Sequence, residues 1–575
     1  MNLFLDYQIK FIKCLKDLSV KKIIVLPENL NSIKTEPPPK NQKSDLSFNA
    51  AMILSKVNKK SPDEIGKILK ENFLNTFPEF EQVELVKPGF LNITFKKMFW
   101  YDYILKIIYK NENYGSGNLI KKKYNVEFVS ANPTGPLHVG HCRGAILGDS
   151  ISNLLKFNGH DVTKEYYVND YGNQIKKFVL SVYYRILEIT EKNPFPHDKD
   201  LYPGDYIIDI ANKIIKINNI ENYDSFEKIY KSLSIMALDA SIELIKNNLE
   251  SLGVKHDNFI FESKLINDQL VNNTIKKLQK DKFIYEGKLL PPKGELSKDW
   301  KTRDQLLFAS TKFGDDSDRA LQKEDGTWTY FASDIAYHSN KIDRKFDVLI
   351  NILGADHSGY IKRIKAAVSA ISQKQTNLVC KVSQLVKLFK NGKPFKMSKR
   401  KGDYVTAEDL VNEVGKDSVR FMMLNRSNDV ELDFDFMKVS EKSKDNPVFY
   451  VQYANARINS IFSALNLNID DKINILSGGI FFNTYEIDIL KKIAEWPRCI
   501  EVSELKLEPH RIPFYLYDLA TLFHSYWNFG QKNKECRFIL EDKKINESRL
   551  LLLQSLSIVI KNGMSILGVS SPKSM

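Results

Sequence analysis

Residues 125–159, NVEFVSANPTGPLHVGHCRGAILGDSISNLLKFNG, decide how the rest of the chain is read. The run opens with Val126 to Ala131, short and mostly apolar, with the length and composition of a buried strand. Pro133, Gly135 and Pro136 then interrupt regular structure. From about Gly140 the pattern is helical: Leu147, Ile151, Leu154 and Leu155 share a face, and Asn158-Gly159 is a stop signal. Strand, tight loop and helix N-terminus make a place for phosphate, because backbone N–H groups and the positive end of the helix dipole converge there. His138 and His141 lie in that loop with Gly140 between them, so imidazoles and backbone can both approach a polyphosphate. The plain alternative is a pair of surface histidines. The pattern favours a nucleotide-binding enzyme.

Working outward, the 575 residues exceed what one hydrophobic core supports, and three or four domains are expected. A hydrophobic content of 43% with 27% charged residues is that of an ordinary water-soluble globular chain. No stretch approaches 18 uninterrupted apolar residues, so no membrane span is expected. The opening MNLFLDYQIKFIKCLKDL carries charges throughout and reads as an amphipathic helix, not a secretory signal. Five cysteines at 14, 142, 380, 499 and 536 form no CxxC pair, which argues against zinc and disulfides and fits a reducing cytoplasm. The balance of 84 Lys and Arg against 71 Asp and Glu gives a net +13. Solvated lysines explain that as well as a polyanionic partner does.

Residues 1–115 read as a small α/β unit, with IIVLP (23–27) and LNITF (91–95) strand-like and helices at 50–57 and 63–77. Residues 110–123 are suited to a linker. From Ile175 to about Leu278 the chain is helix-rich and offers no motif with a chemical role. DVLINILG (347–354) is a continuous apolar strand of the parallel, doubly covered type, followed by ADHSG and a helix over 362–371. Alternating strands and helices with phosphate-friendly loops predict a Rossmann-like parallel sheet with its site at the switch point. The histidine loop and the ADHS loop then meet in space. The stretch 382–405 is hairpin-like with its turn at Asn391-Gly392, and residues 446–567 scan almost wholly as helix.

With HVGH (138–141) and KMSKR (396–400) both in view, the chain resembles a class I aminoacyl-tRNA synthetase. ANPTGPLHVGH (131–141), TYFASDIAYH (329–338), GADHSGY (354–360), VGKDSVRF (414–421), NPVFYVQYANARI (446–458) and KNGMSILGVSSP (561–572) are similar to the bacterial arginyl-tRNA synthetases within that class. So are KSDLSFNAA (43–51) and KPGFLNI (87–93). The resemblance implies a tRNA-contacting α/β domain over 1–115 and a Rossmann-like catalytic domain over 120–385 with a helical insertion at about 175–300. It further implies the KMSKR loop and connecting helices over 386–445, and an all-α anticodon-binding domain over 446–575. The implied reaction activates L-arginine with ATP to arginyl-adenylate, then passes the arginyl group to the 3′-terminal adenosine of tRNA(Arg). It releases pyrophosphate and AMP.

In that family's pattern His138, His141, Lys396 and Lys399 are catalytic. ATP is held by Pro136, Gly140, Asp356, His357, Met397 and Ser398 together with those four. Mg²⁺ accompanies ATP through its phosphates, and neither zinc nor a tightly bound cofactor is expected. Arg400 stands where the signature has Ser, and a cation there is compatible with phosphate.

Arginine selection requires carboxylates that match a planar, forked guanidinium. Glu127 is notable by itself, because a carboxylate inside an apolar strand is costly without a partner. The resemblance puts Glu127, Tyr330 and Asp334 around the guanidinium and Asn132 at the amino-acid backbone. Tyr330 and Asp334 share a face if their helix begins early; the alternative is a core tyrosine and a capping aspartate. Tyr167, Asn169, Asp170 and Gln174 line the same region without assigned roles. The anticodon contacts implied are Tyr450, Tyr453, Asn455, Arg457 and Trp527, with Tyr526, Asn528, Lys532 and Lys534 nearby, although aromatics at helical spacing often serve as core. A monomer in the cytoplasm is expected. A synthetase for another amino acid, a nucleotidylyltransferase using the same HxGH chemistry, and a catalytically silent tRNA-binding paralogue are the competing readings.

Overall fold

A computed structural model of the protein describes residues 1–575 apart from 40–41, 118–119, 218–222, 224, 290–302, 396–404, 472–481 and 541–546. The chain divides into two units: residues 119–441, and residues 1–118 together with 442–575.

The first unit is built on five parallel strands: β1 (Lys123–Glu127), β2 (Asp161–Val168), β3 (Asn258–Phe261), β4 (Val348–Gly354) and β5 (Asn377–Ser383). Their order across the sheet is β5-β4-β1-β2-β3. The order reverses direction between β1 and β4, and a doubly wound sheet opens its ligand crevice where that happens. Glu127 at the end of β1 pairs in register with Asn351 of β4 and Glu165 of β2.

Helix α1 (Val139–Phe157) follows the histidine loop and is almost entirely buried on its inner face. A side chain at Gly148 would meet the Phe128 ring at 2.3 Å, so glycine there lets α1 close on the sheet. Asp149 of α1 receives Lys164 Nζ of β2 at 2.5 Å and the Arg420 guanidinium. The two cations hold its carboxyl below the ordinary range in spite of burial. Three helices lie between β2 and β3 in the sequence: α2 (Asn173–Glu191), α3 (Asp205–Ile217) and α4 (Phe226–Ser251). Helix α5 (Tyr330–Asp343) precedes β4.

The sequence reading did not find β3. Its four residues, NFIF, are half-buried and too short for a periodic signal inside a helix-rich stretch. The 382–405 stretch turns at Asn391-Gly392, both with positive φ (54° and 71°), between strands Val386–Lys390 and Lys393–Pro394. The KMSKR residues Lys396, Met397, Ser398 and Lys399 lie outside the described residues.

In the second unit, residues 1–118 supply a four-stranded antiparallel sheet (Thr35–Glu36, Leu46–Phe48, Phe90–Phe95, Phe80–Val86) covered by helices. Its core is aromatic: Phe11 stacks on Phe73 at 4.5 Å, with Phe48, Phe77 and Phe80 around them. IIVLP (23–27) is not a strand. The Asn58 side chain takes both backbone groups of Val25, accepting at 2.6 Å and donating at 2.8 Å, in place of a ladder partner.

The C-terminal helices include Pro447–Ala464, Thr484–Ala494, Trp496–Lys506, Arg511–Lys532 and Glu547–Leu567. The last is long and apolar enough to cross a membrane, yet nearly all of it is buried in the bundle. The expected linker at 110–123 is partly docked: Tyr114 is fully buried, donates to Ile493 O at 3.0 Å, and its carbonyl receives the Trp496 indole N–H at 3.0 Å. Trp496→Ala, which opens a cavity and leaves that carbonyl with Asn562 Nδ2 alone at 3.2 Å, is expected to cost about 3–5 kcal/mol in urea unfolding followed by circular dichroism.

Candidate active site

The site begins with strain at the end of β1. Val129 (φ 70°) and Ser130 (φ 43°) both occupy the left-handed region, which costs about 1–3 kcal/mol for a residue such as valine. Ser130 N–H donates to Phe128 O at 3.1 Å across Val129, a γ-turn of the rarer hand. The turn sends Ser130 Oγ back to Glu127 Oε1 at 3.2 Å, where it also accepts Tyr167 N–H at 3.1 Å. Strand end, turn and neighbouring strand are thereby locked to one another.

The histidine loop runs on into α1. His138 is the N-cap: its Nδ1 accepts Gly140 N–H at 3.1 Å, while His141 Nδ1 accepts His138 N–H at 3.3 Å. The rings lie 3.9 Å apart. With both Nδ1 atoms accepting, the ring proton of each neutral imidazole belongs on Nε2. Burial lowers the pKa of both, and burial with the adjacent His138 brings His141 down to about 4. Neutral imidazoles acting as single N–H donors suit a phosphate oxygen. A side chain at Gly140 would meet the His138 ring at 2.8 Å.

The residues just after the KMSKR run are tied to this loop. Val139 N–H donates to Val405 O at 3.0 Å and Ala407 N–H donates to Leu137 O at 2.8 Å. Arg143, one turn into α1, is buried and gives its guanidinium to the carbonyls of Gln384, Ser427 and Val430. Asp356 and His357 sit exposed in a short 3₁₀ helix after β4, 3.4 Å from each other, and the Asp356 charge acts on His141. The two strand-end loops therefore converge, as the sheet order requires.

On the other side of the β1 end is a cluster of acids. Glu127 is paired with the fully buried Lys341 of α5 at 2.6 Å, which supplies the partner its buried position demands. Helix α5 begins at Tyr330, capped by Thr329 and not by Asp334. Tyr330 is exposed, so neither member of the pair is used as core or cap, and they do share a face. Asp334 accepts from the Tyr360 hydroxyl, and burial, with Glu127 and Glu262 adding like charge, pushes its carboxyl up to about 7.

Glu262, from the short helix after β3, is buried, and burial raises its pKa too. It takes hydrogen bonds from Ser333 and Tyr167, and the Asn169 amide, oriented to satisfy its neighbours, donates to Glu262 Oε2 at 2.8 Å. Asp170 is held by the N–H and Oγ of Ser263. The charges of Asp334, Glu262, Glu127 and Asp170 all act on Tyr167, whose pKa burial and those acids drive far above its ordinary value. Asn132 Nδ2 donates to Gln174 Oε1 at 2.9 Å at the rim. Such a cluster is suited to a cation, and planar carboxylates match a forked one. Among the described residues, no group of three His, Cys, Asp or Glu side chains is placed to hold a metal ion.

Three family models together span nearly the whole chain. They are "Arginyl tRNA synthetase N terminal domain" over 7–95, "tRNA synthetases class I (R), catalytic domain" over 103–463, and "DALR anticodon binding domain" over 451–575. An arginine–tRNA ligase from Pelagibacter ubique is 56% identical over 577 residues, covering all of both chains. The chain belongs to the arginine–tRNA ligase family. A Brucella suis member is 44% identical over 587 residues, again end to end. The fold matches that of Thermus thermophilus arginyl-tRNA synthetase with a TM-score of 0.72 over the whole of both chains, at 19% identity.

In the C-terminal helices, Arg457 lies 4.2 Å over the Tyr453 ring and 4.9 Å over Trp527, with its Nη1 3.1 Å from His524 Nδ1. Burial brings His524 down to about 4, and its Nε2 donates to Tyr450 O at 3.0 Å. Tyr450, Tyr453, Arg457 and Trp527 thus form one half-exposed ledge. Asn455 departs from that expectation. It is fully buried and spends its amide on the carbonyls of Ser571 and Pro572, with Ser557 donating to its oxygen, so its work is to fix the C-terminal segment. Tyr526 is likewise internal, bonded to Glu486 and Asn483.

Sequence reasoning missed Lys341, Tyr360 and Glu262. Lys341 carries a readable signal, since it stands seven residues after Asp334 and two helical turns bring it to the same face. Glu262 carries none.

A carboxyl neutral below about pH 7 must lose its proton to receive a guanidinium. With Asp334 in the amino-acid site proposed below, arginine affinity is expected to rise about tenfold per pH unit below 7 and to level off above it. In Asp334→Asn that dependence should vanish along with most of the affinity. Calorimetric titration with L-arginine from pH 5.5 to 8.5 measures both.

Proposed function

We propose that this chain carries its family's activity, ATP-dependent ligation of arginine to tRNA, with the acid cluster as the amino-acid site. The observation that carries the reading is the convergence of Glu127, Asp334, Glu262 and Asp170 on Tyr167, next to the neutral histidine pair of the loop. Glu127, Asp334 and Tyr330 receive the guanidinium, and Asn132 receives the amino-acid backbone. Lys341 keeps Glu127 oriented from behind.

ATP lies across the mouth of α1 with Mg²⁺ carried on its phosphates. Its triphosphate faces Pro136, Gly140 and the Nε2–H donors of His138 and His141, and its nucleoside faces Asp356 and His357. The arginine carboxylate attacks the α-phosphate in line, forming the P–O bond of the adenylate as the bond to pyrophosphate breaks. Catalysis here is positioning together with neutralisation of phosphate charge. Lys399, assisted by Lys396, with Met397 and Ser398 beside them, meets the leaving pyrophosphate. The adenylate then passes its arginyl group to the 3′-terminal adenosine of the tRNA and releases AMP.

The work divides along the chain: residues 1–115 against the tRNA, 120–385 for the chemistry, 386–445 for the KMSKR loop and its supports, and 446–575 for the anticodon. There Tyr450, Tyr453, Arg457 and Trp527 offer stacking faces and a cation. The enzyme acts as a monomer in the cytoplasm.

Charging of total tRNA with each labelled amino acid in turn tests the reading. Arginine alone should be transferred, and transfer of another amino acid, or of none, overturns it. Lys399→Ala is expected to slow adenylate formation at least a hundredfold while leaving tRNA binding unchanged. Rapid quench and filter binding measure the two effects separately.

A further inference from the structure

The three helices between β2 and β3 absorb some 80 residues with no part in the chemistry described above. They have a core of their own, with Phe178 and Val182 of α2, Ile207 and Ile214 of α3, and Leu233 and Ala237 of α4 packed together. A bundle with its own core is a rigid body. Each of its helices sends one polar side chain to the same short loop, residues 131–138.

From α2, Gln174 Oε1 accepts Asn132 Nδ2–H at 2.9 Å. From α3, the Tyr206 hydroxyl donates to Thr134 O at 2.9 Å. From α4, the buried Asn248 Oδ1 accepts Leu137 N–H at 3.0 Å. The Tyr206 ring is seated between two glycines: a side chain at Gly135 would meet it at 3.1 Å, and one at Gly204 at 2.5 Å. A side chain at 135 would thus push the tyrosine aside by a few tenths of an ångström. Leu137 extends the chain of contacts, because its carbonyl receives Ala407 N–H at 2.8 Å, just beyond the KMSKR run.

We propose that the α2–α4 insertion is the positioning frame of the signature loop, with Gln174, Tyr206 and Asn248 as its positioning residues; this rests on the ligase activity proposed above. A loop broken by two prolines has few backbone hydrogen bonds of its own, and it must hold phosphate-facing groups within a fraction of an ångström. The frame supplies that order from three directions. Tyr206 and Asn248 hold the loop beyond Asn132, at Thr134 and Leu137, so loss of either contact falls on kcat and spares the arginine KM, whereas Gln174 also holds Asn132 and moves both.

The experiment is arginine-dependent ATP–pyrophosphate exchange in the presence of tRNA, comparing wild type with Tyr206→Phe and Tyr183→Phe. Tyr183→Phe is the control. It deletes a similar hydrogen bond inside the frame, from the hydroxyl to Tyr223 O at 2.8 Å, without touching the loop. Tyr206→Phe is expected to lower kcat about fivefold, the worth of one neutral hydrogen bond, with arginine KM and melting temperature unchanged. Tyr183→Phe should leave kcat as it is. Unchanged kcat in Tyr206→Phe overturns the proposal, as does an equal loss in both variants, which would mark a general loosening of the bundle. Absence of exchange in the wild type would instead strike the ligase reading itself.

Discussion

Carboxylates drawn together out of water repel one another and must be compensated, and the catalytic unit is arranged around that constraint. It meets it in two ways. Asp149 and Glu165 are bound by resident cations, Lys164 with Arg420 and Arg344 respectively, and those partners hold both acids below their ordinary range. They knit α1 and α5 to the sheet. Asp334 and Glu262 are instead held by hydroxyls, Tyr360 in one case and Ser333 with Tyr167 in the other, and both are raised. Neutral donors cannot compensate an ionised carboxylate as a guanidinium can. The same element type, a buried acid beside the sheet, serves structure where a lysine or arginine is built in and, in the proposed site, is left for a cation brought by the substrate.

Glu127 stands between these two groups. Its pairing with Lys341 makes it affordable at the end of an apolar strand, while the strained turn through Val129 and Ser130 fixes which oxygen faces which neighbour. The turn also starts the loop that leads to the histidine pair. One short segment thereby joins the acid cluster to the histidine loop, and strain of this kind persists only because hydrogen bonds on both sides over-determine it.

Much of this was legible in the sequence where chemistry leaves a local mark. The strand–loop–helix pattern located α1, the apolar run located β4, and Asn391-Gly392 located a turn. A lone glutamate in an apolar strand announced a buried partner, though not which one. Spacing puts Lys341 on the face of Asp334, but a lysine in an amphipathic helix reads as solvated, and it is the packing of α5 against β1 that buries it on Glu127. Glu262 was hidden for a related reason: its neighbours come from β2 and α5, far away in sequence. IIVLP misleads because apolar composition mimics a ladder strand, while the Asn58 side chain occupies the backbone of Val25. Asn455 misled because helical spacing does not reveal that the C-terminal segment folds back over it.

The central claim is that desolvated carboxylates choose the amino acid by its charge and fork, beyond its shape. Citrulline has nearly the shape of arginine but carries a neutral urea in place of the guanidinium. Competition of unlabelled citrulline against labelled arginine at pH 8, read by equilibrium dialysis, separates shape from charge. The account predicts that citrulline binds at least about a thousandfold more weakly, since it leaves the acid cluster uncompensated. Affinities within tenfold of each other would contradict it.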